Sequence, residues 1–336
     1  MKILYLGPRI NIENPVISGG VGVLFEDLLL QMKHEGVEYA VVNTNKLHFK
    51  SKLVAYIYIL GHFFGKFWKY DHISLHGTYN DYVFIAPVVV FMSKIFNKKV
   101  SLRKFAGNMD NLYANSNLIY KILIRYILTH SDINFFETKY LVHYFYKYNQ
   151  NTFWFPNVRK STIFRTKKSY NKKFVFMGHV KDEKGIKLLC QVSNLLSNEY
   201  TIDIFGSLVD GYTEEYFKHY KLNYKGVVEP SEVTKILSDY DVLILPSYRE
   251  GYPGVIIEAL SVGLVVIATS LDGIKEMINE KMAILIDTGN VQQLQKAIES
   301  FDKIKYVQMS EAALMQFKLF DSEIYTKKFL KRISNV

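Results

Sequence analysis

Two glutamates, Glu250 and Glu258, flank seven residues in the stretch PSYREGYPGVIIEALSVGLVVIAT, with a Gly-Tyr-Pro-Gly turn between them. The preceding DVLILP reads as a strand, so Glu250 stands in the loop that leaves its carboxyl end. GVIIEALS reads as a helix that opens at the same edge. The first turn of such a helix leaves backbone N–H groups without helical partners, here near Gly254 and Val255, and these attract anions. Gly251 and Gly254 admit close backbone approach to a ligand. Glu258 falls one turn inside, among Ile256, Ile257, Ala259 and Leu260, where burial without a partner is costly. Carboxylates accept paired hydrogen bonds from vicinal hydroxyls. An anion site beside two carboxylates therefore suits a molecule that joins phosphate to a polyol, as a sugar nucleotide does. The plainer alternative is a surface-loop acid and an unrelated helical one.

The elements that must position these residues form two series. KILYLG, YAVVNT, HISLHG, KVSLRKF and DINFFET are short apolar strands separated by helical segments, the first being VGVLFEDLLLQMKHEG. KFVFMG, YTIDIFG, DVLILP and VVIAT repeat the pattern, with helices at GIKLLCQVSNLLS, PSEVTKILSDY, GVIIEALSVG, LQKAIESF and SEIYTKKFLKRI. Alternation of this kind predicts an α/β chain of two doubly wound, Rossmann-like domains with parallel sheets. Ligands of such sheets bind beyond the carboxyl ends of the strands, which predicts a central cleft. The expected boundaries are 1–156 for the first domain, 157–172 for a basic linker, 173–318 for the second, and 319–336 for a terminal helix crossing back to the first.

Hydrophobic residues make up 49% of the 336, enough to fill two cores. The single cysteine, Cys190, excludes an internal disulfide and reads as a small buried hydrophobe. The N-terminal apolar run is too short for a secretory segment, so a cytoplasmic location is expected. Residues 1–170 hold 22 Lys and Arg against 10 Asp and Glu, an excess of +12, while residues 171–336 hold 20 against 22, or −2. The basic half therefore faces an anionic partner. No zinc-finger, basic-zipper or RNP-type motif supports nucleic acid, which leaves an anionic membrane surface. LVAYIYILGHFFGKFW (residues 53–68) is too short to span a bilayer. Two readings stand for it: a helix lying in the interface with lysines towards lipid phosphates, or a buried helix of the first domain.

LPSYREGYPGVIIEALSVGLVVIAT resembles the donor-binding signature of glycosyltransferase family four, the retaining GT-B enzymes of bacterial surface-polysaccharide type. FVFMGHVKDEKGIKLL, IDIFGS, YKGVVEPSEVTKILSDYDVLILPS, SGGVGVLFEDLL and FPNV resemble further elements of that family. The resemblance covers the second half nearly throughout and the first at scattered points. It implies a GT-B fold and transfer of a hexose-type sugar from a nucleoside diphosphate to an acceptor hydroxyl with retention. A lipid-linked or oligosaccharide acceptor in O-antigen or capsule synthesis, and a peripheral position on the inner face of the cytoplasmic membrane, follow by analogy. By the same resemblance, Glu250, Lys184 and His179 are the catalytic set. Glu250 would hold hydroxyls of the transferred sugar, and Lys184 would neutralise the diphosphate as it leaves. The donor-binding set comprises Gly19, Gly20, Gly22, Val227, Val228, Ser247, Gly251, Tyr252, Pro253, Gly254, Val255 and Glu258. Within it the glycines of the first domain would close over the phosphates, Val227 and Val228 would lie near the base, and Glu258 would bind the ribose diol.

Two departures from the family stand out. His179 replaces the usual arginine, and a neutral imidazole holds phosphate less well than a guanidinium. The family's His-Gly after a middle strand is Ala106-Gly107 here, so Arg103 and Lys104 are expected to supply acceptor-side charge. His76, one strand earlier, reads as structural. No cofactor or metal is expected, with Asp110, Asp132 and Asp239 read as single acids. An epimerase of similar fold or a degenerate binding subunit are the alternatives. A phosphorylase would need a longer chain, and a dinucleotide dehydrogenase the full Gly-x-Gly-x-x-Gly spacing.

Overall fold

A computed structural model describes residues 1–10, 19–47, 49–105, 107–160 and 169–336. The expected linker falls partly, and Ala106 wholly, outside the described residues. The chain divides into two compact units, residues Met1–Val158 with Ser322–Val336, and Arg159–Asp321.

The first unit is built on six parallel strands: β1 (Ile3–Gly7), β2 (Tyr39–Asn43), β3 (His72–Gly77), β4 (Lys99–Lys104), β5 (Ile133–Phe136) and β6 (Thr152–Trp154), in the order β2-β1-β3-β4-β5-β6. The interior strand β1, ILYLG, is buried on both faces, which a continuous apolar run allows and an alternating one would not. One face of the sheet is covered by α2 (Lys52–Phe67), α3 (Tyr79–Phe84), α4 (Ala86–Ile95), α6 (Leu118–His130) and α7 (Lys139–Phe145), with the short α5 (Met109–Ala114) on the same side. The other face is covered by α1 (Gly19–His34) and the terminal α15 (Ser322–Ser334), whose Tyr325, Phe329 and Ile333 join the core with Phe25, Phe135 and Phe155. Gly36, at φ 68°, turns the chain out of α1.

The segment 53–68 forms a helix of the first unit with one buried face and one exposed face. α2 buries Ala55, Ile59, Phe63 and Phe67 in the core while Leu53 and Ile57 are 68% and 64% exposed. No helix among the described residues is long and apolar enough to cross a membrane.

The second unit repeats the plan with β7 (Lys173–Met177), β8 (Thr201–Phe205), β9 (Asn223–Tyr224), β10 (Val242–Leu245), β11 (Val265–Thr269) and β12 (Ala283–Ile286), all parallel in the order β12-β11-β10-β7-β8-β9. Its helices are α8 (Ile186–Ser193), α9 (Glu214–Phe217), α10 (Val233–Leu237), α11 (Gly254–Ser261), α12 (Asp272–Lys275), α13 (Val291–Glu299) and α14 (Lys303–Phe317). β7 runs on to β8 on one side, whereas β10 returns to its other side, so the strand order reverses between β7 and β10. That reversal leaves a crevice at the carboxyl ends of these two strands. Cys190 is buried in α8, as a small hydrophobe should be.

A polar chain crosses the first sheet. His72 Nε2 meets Ser101 Oγ at 2.9 Å, the Ser101 hydroxyl donates to Ser74 Oγ at 2.8 Å, and Ser74 Oγ meets His76 Nε2 at 2.9 Å. His76 is fully buried among Tyr5, Phe25, Phe105 and Phe329, in keeping with its structural reading. Burial pushes the His72 imidazole down to about 4 and His76 well below its ordinary 6.5. Above 6.5 neither folded nor unfolded chain charges these rings. Below it the unfolded chain takes up protons that the fold refuses, so stability is lost as pH falls towards 4. For His72 the expected loss is about 2 kcal/mol by about pH 5, and His76 acts in the same direction. Thermal unfolding followed from neutral pH downwards checks this, and His72→Gln with His76→Gln should flatten the slope.

Candidate active site

His179, Lys184, Ser247 and Glu250 lie on the loops that leave β7 and β10, and Glu258 lies on the helix that follows. After β7 the chain passes Gly178 and His179, then a short 3-10 turn at Asp182–Lys184, and enters α8 through Gly185. Gly185 is left-handed at φ 77°, and a Cβ there would lie 2.2 Å from the Pro246 carbonyl oxygen. Only glycine fits so close an approach. The Tyr248 N–H donates to the Glu183 carbonyl at 2.9 Å, tying this turn to the loop after β10.

The result is an ion pair between two loops. Lys184 Nζ donates to Glu250 Oε1 at 2.5 Å, and the buried Ser247 hydroxyl donates to the same oxygen at 2.8 Å. The Glu250 side chain is only 8% exposed, so the pair is largely withdrawn from solvent screening. His179 Nδ1 lies 2.6 Å from Ser207 Oγ. Partial burial, then the charges of Lys181 and Lys184, hold its imidazole below the ordinary value, so it is neutral at pH 7. Asp182 is held low by hydrogen bonds from Lys187 and from the Tyr212 hydroxyl, and Glu183 by Lys181, so both stay ionised around the turn.

At the far end of the same loop, Pro253 caps α11 and Gly254 opens it. Glu258 is not unpaired there. Arg159 Nε donates to its Oε1 at 2.6 Å, with both side chains mostly buried. The expectation that Glu258 needs a ligand to offset its burial is therefore corrected: the chain supplies the cation itself. Arg159 was read from sequence as part of a basic linker, and nothing local marks it out. The signal available was Glu258, a buried acid in search of a base. The guanidinium also lies against the start of α11, since a Cβ on Gly254 would stand 2.4 Å from Arg159 Nη2. A cation beside a helix N-terminus opposes the helix dipole, and an anion placed there would relieve both charges.

The remaining residues are placed as follows. Gly251 takes part in a backbone contact, because a Cβ on Gly273 in α12 would lie 1.7 Å from the Gly251 carbonyl oxygen. Gly273 was not foreseen, although its place after β11 in SLDGIK is a turn signal. Tyr252 is buried with its ring 6.2 Å from Phe320, and Val255 is half-buried. Val227 and Val228 follow the edge strand β9, the first exposed and the second half-buried. Gly19, Gly20 and Gly22 form the first turn of α1 in the other unit.

Arg103 and Lys104 do not present charge at a surface, as the sequence reading expected. Both are 1% exposed at the end of β4, a strand buried on both sides. The Arg103 guanidinium lies 3.7 Å from the Phe155 ring centroid and donates to the Pro156 carbonyl. Burial, countered in part by Glu137, pulls Arg103 down to about 10 and Lys104 to about 8.

Asp239 does not stand singly either: with Asp241 it has Asp-x-Asp spacing. Asp241, however, precedes β10 at the amino edge, fully buried, where its Oδ2 accepts from the Asn171 and Lys173 N–H groups. Among the described residues no group of three His, Cys, Asp or Glu gathers to hold a metal. A cavity of about 580 Å³ opens at the amino ends of β4, β5 and β6, lined by Lys99, Asp132, Asn151 and Arg332. It lies at the edge of the sheet opposite to the one where parallel strands bind ligands.

Two doubly wound parallel units in one chain are the GT-B fold. The structure aligns with Anabaena HepE in complex with UDP over 100% of both chains, with a TM-score of 0.78 at 14% identity. Residues 171–301, which lie within the second unit, match the family model described as Glycosyl transferases group 1. TuaC of Bacillus subtilis, a glycosyltransferase assigned to teichuronic acid biosynthesis, is 30% identical over 128 residues, 38% of this chain and 32% of its own. The N,N'-diacetylbacillosaminyl-diphospho-undecaprenol alpha-1,3-N-acetylgalactosaminyltransferase of Campylobacter jejuni is 23% identical over 159 residues, 46% of this chain and 42% of its own. The matched stretches thus span less than half the length of these curated relatives.

Gly273→Ala should push the Gly251 carbonyl aside and destabilise the second unit by about 1–3 kcal/mol. Gly254→Ala meets only the end of a flexible arginine, so its cost should be smaller. Thermal unfolding of the two variants side by side measures the difference.

Proposed function

We propose that this chain is a retaining, metal-independent glycosyltransferase that moves a hexose-type sugar from a nucleoside diphosphate to an acceptor hydroxyl. The observation that carries this reading is the Lys184–Glu250 pair at the strand-order reversal. In a nucleotide sugar the outer phosphate is bonded to the anomeric carbon, so a phosphate-binding cation and a hydroxyl-binding carboxylate must be immediate neighbours. Lys184 and Glu250 are.

The division of labour follows from charge. Glu250, already accepting from Ser247, takes hydrogen bonds from sugar hydroxyls and orients the ring. Lys184 turns to the diphosphate, and Arg159 with the first amides of α11 adds positive potential beside it. Glu258 shares its carboxylate between Arg159 and the ribose diol. His179, neutral, contributes a hydrogen bond rather than charge. The bond from the anomeric carbon to phosphate oxygen breaks as the bond to acceptor oxygen forms on the same face. The acceptor proton passes to the departing phosphate oxygen, which keeps the configuration. Two cations and a helix N-terminus supply what a divalent metal supplies elsewhere.

Support for a lipid-borne acceptor comes from the Campylobacter relative, whose name places its own acceptor on diphospho-undecaprenol, and from the basic excess of the first half. An O-antigen or capsule pathway at the inner face of the cytoplasmic membrane fits that chemistry.

Glu258→Gln should weaken UDP-sugar binding about 10- to 100-fold, the worth of a charge-assisted hydrogen bond. Glu250→Ala should abolish transfer and leave affinity for the bare nucleoside diphosphate largely intact. Calorimetry beside a transfer assay tests both, and parental transfer rates in the two variants would refute the site. Transfer should also persist in excess chelator; its loss, restored by a divalent cation, would overturn metal independence.

A further inference from the structure

The outer side of the helical layer in the first unit is neither polar nor covered. α2 exposes Leu53, Ile57 and Tyr58 near its start and Trp68 just past its end. α4 exposes Phe91 and Ile95, and α6 exposes Leu118 and Ile119 at 73% and 67%. Aromatic contacts run between neighbouring elements of this layer, whose inner sides share one core. Tyr56 of α2 meets Phe84 at 5.0 Å, Phe84 meets Tyr120 of α6 at 5.9 Å, and Trp68 meets Phe96 beyond α4 at 4.6 Å. Apolar side chains scattered singly need no explanation, but large exposed ones on three helices that cover the same face of one sheet do.

Its charge identifies the partner. α2, α4 and α6 contain lysine or arginine and no acidic residue. Lys50, Lys52, Lys69 and Lys121 stand on or beside this face, and among the described residues none of the four forms a salt bridge. A second copy docked face to face would set these lysines against their own kind. An anionic bilayer meets both demands, since its acyl boundary takes the apolar side chains and its phosphates take the lysines. A tryptophan between the two zones suits the headgroup level.

We propose that the α2/α4/α6 face is a membrane-docking surface that inserts its apolar side chains into the interfacial layer of an anionic bilayer. The lysines at its margin contact lipid phosphates. α2 then serves two apolar media with opposite faces, the sheet on one side and lipid on the other. The inference deepens the proposed lipid-borne acceptor, although the docking geometry stands without it.

Sedimentation with vesicles of phosphatidylglycerol and of phosphatidylcholine tests the surface. Wild type should follow the anionic vesicles, with part of the binding surviving high salt. Leu53→Gln with Ile57→Gln and Trp68→Gln should cut that binding at least about tenfold at either salt concentration. All three positions are solvent-exposed, so the unfolding midpoint should hold. Lys52→Glu with Lys69→Glu should weaken attachment to anionic vesicles only. In a Trp154→Phe background, Trp68 emission should shift to the blue on vesicles and be quenched by brominated chains. The proposal is overturned if wild type ignores both vesicles, if the triple variant binds as wild type does, or if light scattering shows that the triple variant loses a dimer instead. UDP-sugar binding, measured separately, should be the same in all variants. Its absence from wild type would sink the glycosyltransferase reading and leave the vesicle result standing.

Discussion

Two ion pairs between residues distant in sequence hold the carboxyl edge of the second sheet together. Lys184–Glu250 closes a separation of 66 residues and Arg159–Glu258 one of 99. Each puts a cation beside a carboxylate where solvent screens poorly, and each cation lies where the proposed diphosphate would place its charge. An arginine against the opening turn of a helix is like charge near like, tolerable because Glu258 answers it. The arrangement is balanced internally and still favours an incoming anion. Under the proposed function the site would release a nucleoside diphosphate after each turnover, and such internal balance leaves neither cation bare when the anion departs.

The topology explains why these loops and not others carry the chemistry. β7 and β10 are hydrogen-bonded neighbours whose following connections diverge to opposite sides, so the loops leaving them do not cover one another. The first sheet has the same reversal at β1, between β2 and β3, and the glycines of α1 lie just beyond it. Close backbone approaches at Gly185 and Gly273 then bring the second unit's loops nearer to each other than any side chain would permit.

Much of the α/β architecture was legible because buried parallel strands are continuous apolar runs. KFVFM, VLIL and VVIAT could be placed with no knowledge of their partners. The strands that escaped notice, β6, β9 and β12, are short edge or near-edge pieces of three, two and four residues, whose pairing depends on a neighbour rather than on their own pattern. α14 escaped for a different reason. Its buried stripe includes Ser310, whose hydroxyl donates to the Gly263 carbonyl at 2.6 Å, so a polar residue occupies a core position. At the candidate site, spacing and resemblance single out Glu250, Glu258, Lys184 and Ser247, which the fold places on neighbouring loops and on α11. Arg159 was missed because its meaning lies in a residue 99 positions away. Arg103 and Lys104 were misjudged because charge on a strand end reads as exposed until the covering aromatics are seen.

The return of α15 to the first unit has a bearing on how the chain is made. Tyr325, Phe329 and Ile333 complete the apolar layer between α1 and the sheet, against Phe25, Phe135 and Phe155. During synthesis those phenylalanines emerge long before residues 322–334, and α1 alone covers that face of the sheet until α15 follows. The first unit is thus completed only after the second has been made, and a nascent chain stalled before α15 would leave part of that apolar surface open to chaperones and to aggregation.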